Sequence, residues 1–199
     1  MITSLIILLP VLVGLLLWHQ LPEQIPVHFN SEGVADSYQS KLWGVTFIYL
    51  VIFACHWFAA IITSVDPRRR NISSKIYRLA LWICPVISVF VGVTIYGTAL
   101  NWPWVNINFM ANLLLGVIFI VIGNYLPKCR QNYTVGIKVP WTLASEENWD
   151  ATHRLAGKLW VAGGVVILLL AIQPWIPAFP MSLVIMLAVT FVPMIYSFV

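Results

Sequence analysis

Apolar residues fall into six long runs along this chain, separated by polar stretches of unequal character. The runs are Ile2–Trp18, Leu42–Thr63, Leu79–Leu100, Phe109–Leu126, Leu159–Ile172 and Met181–Phe198. Each approaches the ~20 residues that a helix needs to cross about 30 Å of hydrocarbon. No Asp, Glu, Lys or Arg interrupts any of them. The pattern predicts an all-α polytopic membrane protein with six transmembrane helices. The fifth run is short and needs support from the helical stretch Ala151–Lys158 before it, or a locally thinned bilayer. The first run lacks a basic start and a small-residue cleavage site before His19, so it is expected to be a retained span rather than a signal peptide.

Composition points the same way. The chain is 60% hydrophobic and 9% charged, whereas soluble domains carry about 25% charged residues. No polar stretch is long enough to build a separate water-soluble domain. A net charge of +4 raises the question of nucleic acid, but basic residues flanking membrane spans explain it more simply. No direct nucleic-acid partner is expected, and the lipid bilayer is the first partner.

Charge placement then orients the chain. Segment Ser64–Arg78 holds Arg68, Arg69, Arg70, Lys75 and Arg78, and Pro127–Lys158 holds Lys128, Arg130, Lys138, Arg154 and Lys158. The loops Asn101–Asn108 and Gln173–Pro180 carry no formal charge and are rich in Trp and Pro. By the positive-inside rule both basic segments, and hence both termini, face the cytoplasm. The Trp-rich loops read as anchors at the outer headgroup boundary. The glycosylation patterns at Asn71 and Asn132 fall on the cytoplasmic side and should stay unmodified. The expected organisation is a two-span unit over residues 1–63 with an outer loop at 19–41. A basic loop, third span and outer loop follow over 64–108. The last unit, 109–199, carries a cytoplasmic segment at 127–158 and the last two spans.

The spans offer little chemistry. His56 is expected to pack against a neighbouring helix, and Asn112 and Asn124 to join helices by hydrogen bonds. The absence of buried charge weighs against an ion-coupled pump. In the outer loop Leu21–Lys41, Pro22 and Pro26 favour extended backbone and Ser31-Glu32-Gly33 signals a turn. His28, Glu32 and Asp36 could surround a cation, but none has helical ligand spacing. A compact turn of mutually bonded polar groups is expected there, with no metal and no cofactor. Cys129 lies between Lys128 and Arg130, which could favour its thiolate, but an ordinary reduced thiol is the expectation.

The densest polar island is Gly123–Lys158, with five of the eleven Lys and Arg residues, three of the seven carboxylates and one of the four histidines. Pro127, Asn132 and Gly136 predict irregular chain up to Val139, with a short extended stretch at TVGIKV. Thr142 or Ser145 then caps a helix whose first turn carries Glu146 and Glu147. On a 3.6-residue period Trp149, Thr152, His153, Ala156 and Trp160 share one face, and Glu147, Asp150, Arg154 and Lys158 another. That division predicts a short interfacial cytoplasmic helix before the fifth span, with Asp150–Arg154 as an i,i+4 pair. His153 is open to three roles: a structural bridge from the helix to the loop, part of a recognition surface, or a catalytic or metal-binding group oriented by Asp150. No nucleophile–base constellation accompanies it.

At these residues the chain resembles the SdpI family of bacterial membrane immunity proteins. The ordered pattern is Gly123-Asn124-Tyr125, Pro127-Lys128, Asn132, Gly136, Pro140-Trp141-Thr142-Leu143, Ser145-Glu146-Glu147, Trp149, Thr152-His153-Arg154 and Gly157-Lys158. The loop IPVHFNSEGVADSYQSK, with Pro26, His28, Gly33 and Asp36, is similar to the short domain of unknown function that often precedes the family. The resemblance implies a non-enzymatic protein that confers resistance to a secreted, membrane-active peptide toxin. In such systems it also implies sequestration of a soluble transcriptional repressor at the membrane. The rival readings are a membrane enzyme acting at the cytoplasmic interface through His153 with Asp150 or Glu146, and a transporter of a peptide or small apolar solute.

Overall fold

The apolar runs form helices because lipid offers the backbone no other partner, and a helix satisfies its N–H and C=O groups internally. The computed structural model describes residues 2–173 and 178–198. Five of its helices are long and apolar enough to span a membrane. They are α2 (Lys41–Ser64), α3 (Ser74–Ala99), α4 (Ile107–Tyr125, continued by a 3₁₀ turn to Lys128), α6 (Glu146–Ile172) and α7 (Ala178–Tyr196). The first helix, α1 (Ile2–Leu16), has 15 residues. It is about 22 Å long, short of the ~30 Å hydrocarbon core. The expected loop Gln173–Pro180 has its residues 174–177 outside the described residues.

The chain divides into two units, Met1–Ala59 with Leu81–Ala111, and Ala60–Ala80 with Asn112–Val199. The core of the first comprises Leu21, Ile25, Val45, Tyr49, Ile95 and Tyr96. Two hydroxyls of α3 grip α1 on either side of Pro10: Ser88 Oγ donates to the Ile7 carbonyl at 2.7 Å, and the Tyr96 hydroxyl to the Pro10 carbonyl at 2.9 Å. His56 Nε2 lies 3.2 Å from Thr3 Oγ1, the helix-to-helix contact expected of that histidine.

The first unit also corrects the all-α expectation. Residues Gln24–Phe29 (β1) and Ala35–Ser40 (β2) pair as an antiparallel hairpin. Pro26 disfavours helix, and Gly33 takes a positive φ of 80° in the turn, a conformation that costs glycine little. Asn30 Oδ1 accepts the N–H groups of Glu32 at 3.0 Å and Val34 at 2.9 Å, an Asx-type turn. At the hairpin's foot Lys41, 8% exposed, donates to Glu23 Oε1 at 2.9 Å and to the Trp18 carbonyl at 3.2 Å.

In the second unit α4 and α6 touch along glycines. Gly116 and Gly123 on α4 are seven residues apart, as are Gly157 and Gly164 on α6. A Cβ at Gly157 would lie 2.8 Å from the Gly123 carbonyl oxygen, and one at Gly164 would lie 2.7 Å from that of Gly116. Two-turn spacing keeps each pair on one face, so the antiparallel backbones approach directly, as small residues permit in membranes. Helix α7 packs on α6, where Trp160 Nε1 donates to the Val189 carbonyl at 3.0 Å.

A separate short interfacial helix before the fifth span is not what the structure contains. The helix begun at the Ser145 cap runs 27 residues without a break to Ile172. That is about 40 Å, so the fifth apolar run is the inner part of a longer helix and needs no thinned bilayer. Only α5, Pro140–Ala144, stands apart before it.

Candidate functional site

The loop from Cys129 to Val139 folds over the first three turns of α6, and one buried asparagine shapes it. Asn132 is fully buried. Its Oδ1 accepts the N–H groups of Thr134 at 2.9 Å and Val135 at 2.7 Å, while Nδ2 donates to the carbonyls of Arg130 at 2.8 Å and Val135 at 3.0 Å. One side chain therefore satisfies backbone groups that an irregular buried loop would otherwise leave without partners. The extended stretch expected at TVGIKV is loop, not strand.

His153 ties this loop to α6. Its Nδ1 lies 2.7 Å from the Trp149 carbonyl, and its Nε2 accepts the Ile137 N–H at 2.9 Å. A carbonyl only accepts and an amide only donates, so the two contacts select neutral imidazole with its proton on Nδ1. The ring stacks on Trp149 with centroids 4.0 Å apart, and Trp149 Nε1 donates to the Cys129 carbonyl at 2.6 Å. Gly136 makes this closeness feasible. Its φ is +117°, and an added Cβ would run into His153 Nε2 and the Trp149 ring. The structural bridge is thus the one of the three roles present, and Asp150 does not orient the imidazole, because backbone groups hold both ring nitrogens. Nor is Asp150–Arg154 an ion pair: among the described residues the pairs are His28–Asp36 and Lys41–Glu23.

Thr142, also fully buried, caps α5 rather than α6. Its Oγ1 accepts the Val139 N–H at 3.1 Å and lies 2.8 Å from the Ile137 carbonyl. Ser145 caps α6, its hydroxyl accepting the Asn148 N–H at 3.2 Å. The two faces expected for this helix are present. Trp149, Thr152, His153 and Ala156 are buried and Trp160 is half-buried, while Glu147, Asp150, Arg154 and Lys158 are exposed. The end of α7 locks on here through Trp141 Nε1 to Ser197 Oγ, and through Asn148 Nδ2 to the Ser197 carbonyl at 2.7 Å.

Cys129 is an ordinary buried thiol, as expected, and its basic neighbours do not activate it. It is 4% exposed, and burial pushes its thiol up to about 11, only partly offset by a hydrogen bond from Asn132. Lys128 and Arg130 flank it in sequence, but they point outward and are exposed.

Two residues that sequence reasoning passed over, Asp66 and Gln131, complete the network. Asp66, 5% exposed, accepts the Arg68 N–H at 2.7 Å through Oδ1. Its Oδ2 takes the Tyr133 N–H at 3.0 Å and the Thr134 hydroxyl at 2.8 Å. Gln131 donates through Nε2 to the carbonyls of Thr142 at 2.7 Å and Leu143 at 3.0 Å. Its Oε1 accepts from Arg68, and its carbonyl accepts from Asn71 Nδ2 at 2.7 Å. The signal was Asp66 itself, the one carboxylate in the basic stretch Ser64–Arg78 and placed before a proline. Asn71 and Asn132, the two glycosylation-pattern asparagines, both spend their side-chain amides inside the fold.

The remaining motif residues lie at the surface. Asn124, Lys128, Pro140, Glu146, Arg154 and Lys158 are exposed. A cavity of about 280 Å³ is lined by Asn71, Arg130, Gln131, Glu146 and Asp150, and His153 is not among its walls. In the first unit, His28 Nδ1 and Asp36 Oδ1 meet across the hairpin at 2.6 Å. Pro26 is buried, and Gly33 sits in the turn.

Residues 128–197 match the SdpI/YfhL protein family, and residues 5–53 match a domain of unknown function, DUF1648. The SdpI/YfhL match lies within the second unit. It covers the folded loop, α5, α6 and α7, so the family pattern coincides with the part of the chain tied together by Asn132, His153 and Thr142. The DUF1648 match covers most of α1, the hairpin and the first half of α2. Across 175 residues the chain is 25% identical to the immunity protein SdpI of Bacillus subtilis (strain 168), covering 85% of this chain and 80% of that protein. No solved structure matches the chain.

Proposed function

We propose that this protein is a non-enzymatic membrane immunity protein that protects its cell from a secreted, membrane-active peptide toxin. The observation that carries the reading is the long alignment with an immunity protein, which extends over both the hairpin-bearing and the SdpI-family parts of the chain. In this reading α1 joins the five long helices as a sixth, tilt-free span, and both basic segments and both termini face the cytoplasm. The hairpin then lies outside and meets the toxin, while the loop over α6 holds the helices in the resistant arrangement. Retention of a soluble repressor would fall to the exposed face of the SdpI-family segment, around Glu146, Asp150 and Arg154.

The geometry of His153 supports a non-catalytic role. A general base needs a free nitrogen within about 3 Å of a reacting group, and backbone partners occupy both of its nitrogens.

Expression in a toxin-sensitive bacterium tests the proposal. Survival against a secreted membrane-active peptide should rise, and unchanged killing across several such peptides, with the protein present in the membrane, would reject it. Reporter fusions after Arg70 and Lys138 should both give a cytoplasmic signal, and a periplasmic signal from either would reject the orientation.

A further inference from the structure

The cations of the second unit are not spread evenly over its polar end. On three helices the charged residue that borders the apolar stretch is basic: Arg78 near the start of α3, Lys128 at the end of α4, and Lys158 within α6. All three are exposed. Packing brings them to a common level. A Cβ on Gly157, next to Lys158, would lie 2.5 Å from Pro127 Cγ, next to Lys128. Ile76, two residues before Arg78, shares a buried cluster with Cys129, the residue after Lys128. On α6 the carboxylates Glu146, Glu147 and Asp150 all lie two turns or more to the polar side of Lys158.

The side chains are disposed as headgroup-facing cations are. Arg78 Nε donates back to the Ser74 carbonyl at 3.3 Å, so its guanidinium is drawn away from the apolar stretch toward the polar end. Lys128 Nζ sits 5.0 Å from the Tyr125 ring centroid. Tyr125 and Tyr77 both pack on the same buried cluster, giving the aromatic–basic pairing typical of a membrane boundary. Among the described residues none of the three cations has an ion pair, since both salt bridges lie in the first unit.

We propose that Arg78, Lys128 and Lys158 form a belt that binds the phosphates of anionic phospholipid headgroups, seating the SdpI-family segment against one leaflet. The belt is independent of any toxin and serves to set the depth of α3, α4 and α6. Its charge matches an anionic leaflet, and juxtamembrane cations act additively on such a surface.

Spin-labelled lipids read this directly in the full chain, reconstituted into phosphatidylcholine bilayers. Labelled phosphatidylglycerol should associate with the protein over labelled phosphatidylcholine by about threefold or more. The triple variant R78Q/K128Q/K158Q should bring the ratio close to unity, while R70Q/K75Q/K138Q, with equal charge removed outside the belt, should keep it. No preference in the native chain, an undiminished one in the belt variant, or equal loss in both variants would overturn the proposal. If the belt variant does not fold, the native chain decides: its preference should fall steeply with added salt, and a salt-insensitive preference would overturn the belt. Excess soluble glycerol phosphate should leave the labelled lipid bound. Displacement by it would assign the cations to a free phosphate instead.

Discussion

The hairpin of the first unit and the loop over α6 in the second are both short polar segments, each associated with a histidine and a nearby aspartate. They use them in opposite ways. In the hairpin, His28 and Asp36 bond to each other across the strands with side chains 70% and 45% exposed. In the loop over α6, His153 is buried and bonded to backbone, and Asp150 is exposed. The difference teaches how to read the family pattern. Its most buried residues, Asn132, Thr142, Trp149 and His153, are occupied in holding an irregular loop together, so they are unavailable to a partner. A surface a partner can reach lies in the hairpin and on the charged face of α6.

Substitutions that break the buried side of this contrast should have the largest effects. Trp149→Ala removes a fully buried indole and its hydrogen bond to Cys129. It should cost about 3–5 kcal/mol in reversible unfolding from mixed micelles. Loss of less than about 1 kcal/mol would mean that the loop is not packed on α6 as described.

Asn132→Ala should cost about 2–4 kcal/mol, because it leaves several buried backbone groups without partners. Asn132→Asp should recover only part of that loss, since it keeps the acceptor and forfeits the donors. Equal stability of the two variants would contradict the bonding described for Nδ2.

His153→Ala should lower stability by about 1–3 kcal/mol. Amide exchange at Ile137 should quicken with it, since that N–H loses its acceptor. An unchanged exchange rate would remove His153 from its bridging role.

Cys129 tests burial without relying on stability. Alkylation needs thiolate, and a thiol pushed up to about 11 is ionised to only about one part in a thousand at pH 8. In a Cys55→Ser, Cys84→Ser background, labelling should be slow and should rise about tenfold per pH unit toward that value, provided the fold persists. Rapid labelling at neutral pH would restore the activated-thiolate reading.

The smallest structural effect should come from the hairpin. His28→Ala and Asp36→Asn each ought to change stability by no more than about 0.5 kcal/mol. Under the immunity reading they should nevertheless reduce toxin protection in cells. The opposite pattern, large destabilisation with full protection, would move the encounter surface elsewhere.

Much of this was legible in the chain. The two faces of α6 followed from 3.6-residue periodicity, because the buried positions are those that repeat on one side. The Ser145 cap followed from a hydroxyl placed just before Glu146-Glu147. Two things were not legible. The hairpin was hidden because its strands are short and half exposed, so the apolar–polar alternation is weak, and only Gly33 and the prolines hinted at it. The continuity of α6 was hidden because charged residues up to Lys158 suggested a boundary, whereas a helix passes through such a change without altering its backbone.

The sequence by itself determined the membrane class, the apolar runs, the basic segments that flank them and the family pattern. These are properties of composition and local spacing, which need no partner to be expressed. Only the tertiary structure decided that Asp66 and Gln131 join the loop, that glycines at 116, 123, 157 and 164 let α4 and α6 touch, and that His153 is a neutral bridge rather than a base. Each of those depends on which groups meet across dozens of residues. In a buried loop the outcome is fixed by where unsatisfied backbone groups can find a partner, and residue order alone does not specify that.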